Sequence, residues 1–299
     1  MSDGIISKAR ADFHSALTAP NGPLCLLKAD NKICMASNAD RSQATSRAIS
    51  LSIAEQLGAL PRDKKPSGQT MGKQFEQAVT DFLEECLPHL QHVRPGPWHV
   101  SNVGGSRRED QLAKYYPYRH LDDLAVAVEE DPDLLSVLGN LYAVSPDILV
   151  IRKSQTDEFI NNSEFVVDKT SATLTPVRAS NIRKSVNADP AFIHAVISCK
   201  WTMRSDRAQN TRSEALNLIR NRKGRAPHII AVTAEPSLSR IASIALGTGD
   251  IDTTYHFALP ELQEAVEEIG NDESALMLHT LIKGDRLRDI SDLPLDLAV

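Results

Sequence analysis

The stretch Ala191-Phe-Ile-His-Ala-Val-Ile-Ser-Cys-Lys200 decides the fold, because an apolar run of this length predicts a buried β-strand, here ending in a lysine. A second such run, Ile148-Leu-Val-Ile151, follows directly after Pro146-Asp147. Side chains alternate along a strand, so Ser198 and Lys200 share one face while Cys199 points to the other. We therefore predict two central strands, one opened by a carboxylate and one closed by an amine.

Further helices and strands are predicted on both sides of this pair. Helical spacing of apolar residues predicts helices over about 41–60, 70–87, 121–130 with another turn after Pro132, and 207–222, where Gly224 is the stop signal. Strands are predicted at 228–233 and 253–259, with a helix from near Pro260. No linker-like or repeated tract interrupts 1–299. The prediction is a single α/β domain whose central mixed β-sheet is flanked by helices.

The charge of the chain is uneven. The formal net charge of −6 argues against a non-specific nucleic-acid binder, which is usually basic. From Lys200 to Arg225, however, eight basic residues stand against only Asp206 and Glu214. A basic window in an acidic chain indicates a defined anionic ligand, although a solvated helix face explains it equally well.

The cysteines and the apolar segments bear on cellular location. Four cysteines are scattered without metal-like or redox-like spacing, namely Cys25, Cys34, Cys86 and Cys199. They are typical of free thiols in a reducing compartment. The segment Met1–Arg10 lacks the apolar run of a signal peptide, and no apolar stretch is long enough to cross a bilayer. We expect a cytoplasmic protein without membrane contact.

The two central strands carry the first hint of chemistry. A carboxylate at the start of one strand and a lysine at the end of its neighbour resemble the skeleton of the PD-(D/E)XK nucleases, here Asp147 and Lys200. That pattern has a carboxylate two residues before the lysine, where this chain has Ser198. Such a short match also arises by chance, and a lysine at a strand end is often simply solvated.

Two further carboxylates strengthen the nuclease hypothesis. Glu76 lies beside the apolar stripe of its helix, and Glu214 lies on the helix after Lys200. Acidic residues against an apolar face are costly unless they are paired or bind a metal. Each could cap a helix or pair with an arginine. The functional hypothesis is that Glu214 supplies the carboxylate that Ser198 lacks, so that Asp147 and Glu214 hold Mg²⁺.

At this point a family resemblance becomes clear. The stretch Ser198-Cys-Lys-Trp-Thr-Met-Arg-Ser-Asp-Arg-Ala-Gln-Asn-Thr-Arg-Ser-Glu214 closely resembles the NgoMIV-like restriction endonucleases, tetrameric enzymes that cut sites containing CCGG. The similarity continues over most of the chain, in Asn217–Lys223, Val232–Pro236, Ser243–Gly249, Asp289–Val299, Ser37–Asp40, Gly68–Thr70, Glu76 and Arg94–Gly96. It implies a restriction-endonuclease-like PD-(D/E)XK fold in which one metal-binding carboxylate has moved to the helix.

The resemblance also implies an activity and its residues. The implied enzyme is a Mg²⁺-dependent type II restriction endonuclease that cuts double-stranded DNA at a palindrome, GCCGGC, and leaves 5′ overhangs. It implies a homotetramer built as a dimer of dimers, and a cognate DNA methyltransferase as functional partner. The catalytic positions fall on Asp147, Lys200, Glu214, Glu76, Ser198 and Cys199, and the metal-binding positions on Asp147, Glu214 and Cys199.

Base recognition is assigned by the same resemblance. Arg204, Asp206 and Arg207 would contact the inner CCGG, and Asp40 and Gln69 the outer G·C pair. The chemistry agrees, because arginine binds guanine bidentately and an aspartate accepts from cytosine N4. The alternative for the helix is that Asp206 caps it while the arginines bind phosphate.

Two other functions remain as alternatives. One is a sequence-specific DNA-binding regulator that kept the fold and lost catalysis. The other is a repair or structure-specific nuclease of the same fold. The intact set Asp147, Lys200 and Glu214 argues against the first, and the cluster of base-reading side chains argues against the second.

Overall fold

The computed structural model describes residues 3–29, 32–104, 110–130, 146–181, 191–203, 205–247, 249–269 and 271–299. These residues form a six-stranded and a three-stranded sheet with helices around them. The strands are β1 (Leu26–Ala29), β2 (Lys32–Ala36), β3 (Pro61–Arg62), β4 (Trp98–Asn102), β5 (Ile148–Lys153), β6 (Ala191–Lys200), β7 (His228–Thr233), β8 (Thr253–His256) and β9 (Leu287–Asp289).

The described helices surround the larger sheet. They are α1 (Ile5–Thr18), α2 (Ala44–Gln56), α3 (Gly68–Cys86), α4 (Asp110–Ala113), α5 (His120–Glu130), α6 (Asp157–Ile160), α7 (Ser205–Asn221), α8 (Leu238–Ala245), α9 (Leu259–Ile269), α10 (Asp272–Lys283) and α11 (Leu293–Leu297). The expected α/β architecture, a mixed sheet flanked by helices, is confirmed.

The order of strands in the larger sheet brings one carboxylate and one lysine to the same edge. The order is β4-β5-β6-β7-β8-β9, antiparallel from β4 to β6 and parallel from β6 to β9. Ile148 at the start of β5 pairs with Ile197 near the end of β6. Asp147 therefore lies beside Lys200, and the parallel strand β7 ends at this same edge with Thr233 opposite Lys200.

Aromatic packing fixes α3 against this edge. Phe75 on α3 has no exposed surface, and its ring lies 5.4 Å from the ring of Trp201, the residue after Lys200. Trp201 in turn lies 6.3 Å from Phe257, measured between ring centroids. Since Glu76 follows Phe75 directly, this packing holds its carboxylate near the end of β6. The core thus positions the acidic residues that the sequence singled out.

Most predicted elements are confirmed, and the differences have local causes. The helix α3 begins at Gly68 rather than Thr70 because the Ser67 side chain accepts from the Thr70 N–H and caps it. The strand expected over 253–259 ends at His256, because Phe257 N donates to Thr233 O and α9 already begins at Leu259.

Some elements were not predicted at all, namely α1, α4, α6, α8, α10, α11, β1 to β4 and β9. The helical turn expected after Pro132 lies outside the described residues. Among the helices that the structure describes, none combines the length and the apolar character needed to cross a membrane.

Truncating Phe75 tests how much this packing contributes. Phe75→Ala removes a buried ring between α3 and Trp201, and should lower the free energy of unfolding by about 3–5 kcal/mol. Urea denaturation followed by tryptophan fluorescence measures it. The control is Leu276→Ala on α10, which is exposed and should change stability by less than about 0.5 kcal/mol. Equal losses of unfolding free energy in the two variants would show that the packing of Phe75 contributes little to stability.

Candidate active site

Asp147 is the centre of the site. The peptide N–H of Cys199 donates to its Oδ2 at 2.8 Å, the Lys200 ammonium at 3.1 Å, and the Ser198 hydroxyl more weakly at 3.5 Å. The residue is buried, and among the described residues its Oδ1 accepts no hydrogen bond. One carboxylate oxygen is thus held by β6, while the other remains available to an outside partner.

Lys200 is held as a cation. Burial by itself would lower the pKa of its amine, but Asp147 and Glu214 act in the opposite direction, and the net pKa is raised above its usual value. The side chain shares its strand face with Ser198, as the alternation predicted. An ammonium that keeps its proton stabilises negative charge and does not act as a base.

Glu76 reaches the site from α3. Burial and the nearby Asp147 raise the pKa of its carboxyl to about 7, and Lys200 and Lys73 only partly oppose this. The residue is half-buried, beside the buried face formed by Phe75 and Val79. Its carboxyl group is therefore able to gain or lose a proton near neutral pH.

Glu214 reaches the site from α7. Burial raises the pKa of its carboxyl, with Lys200 acting against this and Asp147 adding to it. Glu214 and Ser198 line the same small and mainly apolar cavity, together with Thr211 and Leu218. The helix carboxylate and the strand position that lacks one therefore face a common space, which supports the hypothesis of a migrated carboxylate.

The charges around Asp147 are out of balance. Three carboxyl groups, those of Asp147, Glu76 and Glu214, lie near the ammonium of Lys200, and Lys73 acts on Glu76 as well. Burial is the first cause of the raised pKa values of both glutamates and Asp147 adds to it, so added positive charge would favour their ionised forms. A hard divalent cation would supply it, and the Asp147 Oδ1 offers a suitable oxygen.

The donor set fits a cation that keeps several of its other ligands. Across the described residues, no group of three or more histidine, cysteine, aspartate and glutamate side chains is arranged as a metal cage. Burial and Asp147 raise the pKa of the Cys199 thiol well above its usual value, so the thiol stays protonated and is a poor ligand for a hard ion. We therefore expect two carboxylates, with water and substrate oxygens completing the shell.

The candidate base-reading residues are only partly described. Arg204 lies outside the described residues, and so do the side chains of Asp206 and Arg207. The helix α7 begins at Ser205, so Asp206 and Arg207 belong to its first turn. Gln69 is exposed in the first turn of α3.

Asp40 is held in place by two partners. It accepts from the backbone and the hydroxyl of Ser42 at 2.9 and 2.7 Å, and forms an ion pair with Arg240 on α8. Ser42 and Arg240 lower the pKa of Asp40 to about 2, so it is ionised at neutral pH.

Arg240 is the functional candidate that the sequence did not reveal. It is the one charged residue of α8, and 200 positions separate it from Asp40. A single arginine in a helix without other charges was the available signal. An adjacent arginine and aspartate have the donors for guanine and the acceptor for cytosine, so together they suit a G·C pair.

Two comparisons with known proteins found similar sequences. Residues 24–299 match the NgoMIV restriction enzyme family. Over 295 residues the chain is 46% identical to the type II restriction enzyme NgoMIV of Neisseria gonorrhoeae, and the alignment covers 99% of each chain.

Cation binding at the carboxylates is testable by thermal unfolding. Millimolar Mg²⁺ or Ca²⁺ should raise the Tm of the protein above its value in K⁺ of equal ionic strength, because a ligand that binds the folded state stabilises it. Asp147→Asn and Glu214→Gln should abolish this rise, whereas Glu84→Gln, an exposed residue on α3, should keep it. A rise that survives in both site variants would place the cation elsewhere.

Proposed function

The chain belongs to the NgoMIV restriction enzyme family and is a type II site-specific deoxyribonuclease, and we propose that it cuts GCCGGC with Mg²⁺, leaving 5′ overhangs. The observation that carries the chemistry is the set of carboxylates around Asp147 and Lys200. The proposed catalytic residues are Asp147, Lys200 and Glu214, with Glu76, Ser198 and Cys199 around them.

Hydrolysis of a phosphodiester needs an activated water, stabilised charge on phosphorus and a stabilised leaving 3′-oxygen. Mg²⁺ held by Asp147 and Glu214 would lower the pKa of a bound water and offset phosphate charge. Asp147 orients the Lys200 ammonium through its 3.1 Å contact, and that cation stabilises the negative charge that develops on the phosphate oxygens. Glu76, with its pKa raised to about 7, is suited to exchange a proton with solvent beside them.

A covalent mechanism is disfavoured by the same geometry. The Cys199 thiol is buried with a raised pKa, so it is not a thiolate. The Ser198 hydroxyl points towards Asp147 at a distance of 3.5 Å, which is too long for an activating hydrogen bond. Water is therefore the proposed nucleophile, and Ser198 has a supporting role.

Sequence recognition is proposed to combine two elements. The start of α7, with Arg204, Asp206 and Arg207, would contact the inner CCGG. Asp40 and Arg240, which form an ion pair, would contact the outer G·C pair together with Gln69. In each half-site this assignment gives every pair one arginine, gives the outer pair Asp40, and leaves the two inner pairs to share the two carboxylate oxygens of Asp206.

The assembly is proposed to be a homotetramer of two dimers placed back to back. A palindrome needs a two-fold dimer. A second surface lies in the segment 157–181, where large apolar side chains are exposed, with Phe165 80% and Leu174 94% accessible. This segment follows Lys153, and β5 carries the chain roughly 20 Å away from Asp147 before it begins. Dimers joined there would present their DNA clefts on opposite sides.

Three smaller points complete the proposal. One hydrophobic core cluster runs from Ala9 to Ala298, which supports a single domain over 1–299. We place the enzyme in the cytoplasm, where its DNA substrate would enter. A cognate methyltransferase would protect the host's own sites.

Mapping the ends of cut plasmid DNA tests the proposed activity. With Mg²⁺ the protein should give discrete fragments whose ends all lie in GCCGGC, and no cutting without a divalent cation. A smear of fragments would instead support a repair nuclease, and tight binding without cutting would support a regulator. Ends at another sequence would refute the proposed site while leaving the activity intact.

A pair of substitutions tests the migrated carboxylate. Glu214→Ala should abolish Mg²⁺-dependent cleavage, and Ser198→Glu alone should crowd the site with an extra negative charge. The combination of Ser198→Glu and Glu214→Ala keeps the number of carboxylates and should recover part of the activity, because both positions face the same cavity. Specific DNA binding without metal is the control that all three variants must pass. A fully active Glu214→Ala enzyme would remove Glu214 from the metal site.

Replacing the exposed apolar residues tests the assembly. Phe165→Ser combined with Leu174→Ser should convert a tetramer into a dimer by solution mass, because it removes apolar surface that the partner would cover. The preference for two-site over one-site plasmids should disappear with it. Leu276→Ser replaces another exposed apolar residue, on α10, serves as control and should change neither property. A wild-type dimer that cuts both plasmids equally fast would contradict the proposal.

A further inference from the structure

The turn after β7 connects the proposed catalytic and base-reading parts of the site. The Thr233 hydroxyl donates to the Lys200 carbonyl at 3.0 Å, and Ala234 N donates to the same carbonyl at 3.1 Å. The Asn38 amide donates to the Ala234 carbonyl at 2.7 Å, two residues before Asp40. This turn, residues 233–237, is thus attached both to the end of the catalytic strand and to the N-terminal segment that contains Asp40.

Glu235 is the buried charged residue within this turn. It has no exposed surface. Its Oε1 accepts from Ser237 N at 3.0 Å, its Oε2 accepts from Met203 N at 2.6 Å, and the guanidinium of Arg240 lies 3.7 Å from Oε2. Burial raises the pKa of its carboxyl, while the two backbone N–H groups and Arg240 act to keep it ionised.

The partners of Glu235 belong to different recognition elements. Met203 immediately precedes Arg204 and α7, the proposed inner-base element. Arg240 forms an ion pair with Asp40, the proposed outer-base element. The Glu235 carboxylate is therefore shared between the two recognition elements.

We infer that Glu235 is a positioning residue that holds the inner and the outer base-reading elements in one register, so that discrimination at both base pairs depends on it. This inference rests on the proposed function. A buried carboxylate is costly to retain, and its cost is offset here by bonds that extend to both elements. Glu235 contacts no base itself, and acts through Met203 and Arg240.

Glu235→Asp isolates the long-range contact. An aspartate accepts readily from the backbone N–H two residues on, so the local bond to Ser237 survives. Its shorter side chain withdraws from Met203 N and from Arg240. The variant should lose some Tm because Met203 N is left without its partner, but no more than Asp289→Asn loses, and it should in addition lose discrimination at both positions.

Glu235→Gln is the second variant. Met203 N and Ser237 N bond to different oxygens of Glu235, and in glutamine one of these oxygens is replaced by an NH2 group that only donates, so one of the two bonds is lost. Asp289→Asn is the matched control, because Asp289 is likewise buried and accepts from the backbone N–H groups of Leu259 and Ser291 and from Arg10. It lies at the end of β9, two strands from Thr233 in the sheet, and its partners lie on α1, on α9 and directly after β9.

The readout is kcat/KM on duplexes that differ by one symmetric base-pair change. The ratio of GCCGGC to ACCGGT measures outer discrimination, and the ratio of GCCGGC to GTCGAC measures inner discrimination. Both ratios should fall by about tenfold or more in Glu235→Asp and in Glu235→Gln, as loss of a charge-assisted contact predicts. Asp40→Ala should lower the outer ratio alone, and Asp289→Asn should leave both ratios unchanged.

Each outcome decides the inference. A folded Glu235→Asp with both ratios intact would overturn it, and so would a fall in one ratio only, since the shared register would then be absent. If both Glu235 variants lose Tm and cognate rate to the extent of Asp289→Asn with unchanged ratios, the role is structural and the inference fails. If the wild type prefers another sequence, the proposed site is wrong, and the two ratios are measured at the mapped site instead.

Discussion

The contact between Asp147 and the end of β6 is the constraint on which the rest of the site depends. Because β5 and β6 run antiparallel in this register, the first residue before β5 meets the last residues of β6. Asp147 Oδ2 is bound there by Cys199 N and Lys200 Nζ, which orients both the carboxylate and the ammonium. A shift of one residue in the pairing would turn Lys200 to the opposite face of the sheet and separate the two charges.

Around this pair the protein gathers more negative charge than it neutralises. Glu76 and Glu214 lie on two different helices. The packing of Phe75 on Trp201 holds α3 and with it Glu76, and the apolar face of α7 holds Glu214. Burial, to which Asp147 adds, raises the carboxyl pKa values of both residues. Active sites often carry such a local excess, because an incoming cation or substrate relieves it. A folded chain with this imbalance is thus prepared for the divalent ion proposed here.

The turn 233–237 joins the proposed catalytic residues to the proposed base-reading residues. It is bonded to Lys200 through two contacts, to Met203 through Glu235, and to the Asp40 segment through Asn38 and Arg240. Cleavage at one sequence requires that the scissile phosphate and the base edges meet their protein groups together. A turn that contacts all three regions would keep their side chains in a fixed relative position. Such positioning matters because small misplacements in a site are costly.

The sequence by itself determined the central strands, the helices α3 and α7, and the type of chemistry. These follow from patterns within a few residues: the apolar runs of β5 and β6, the alternation that puts Ser198 with Lys200, and the helical stripe beside Glu76. The family resemblance added the roles of Asp147, Lys200 and Glu214. Tertiary structure alone decided that Arg240 meets Asp40, that Glu235 binds Met203, and that the N-terminal residues form a second small sheet. The physical reason is that these contacts join residues far apart in the chain. A local pattern of apolar residues predicts a helix or a strand, but it does not predict which distant residue a buried charge will contact in the folded core.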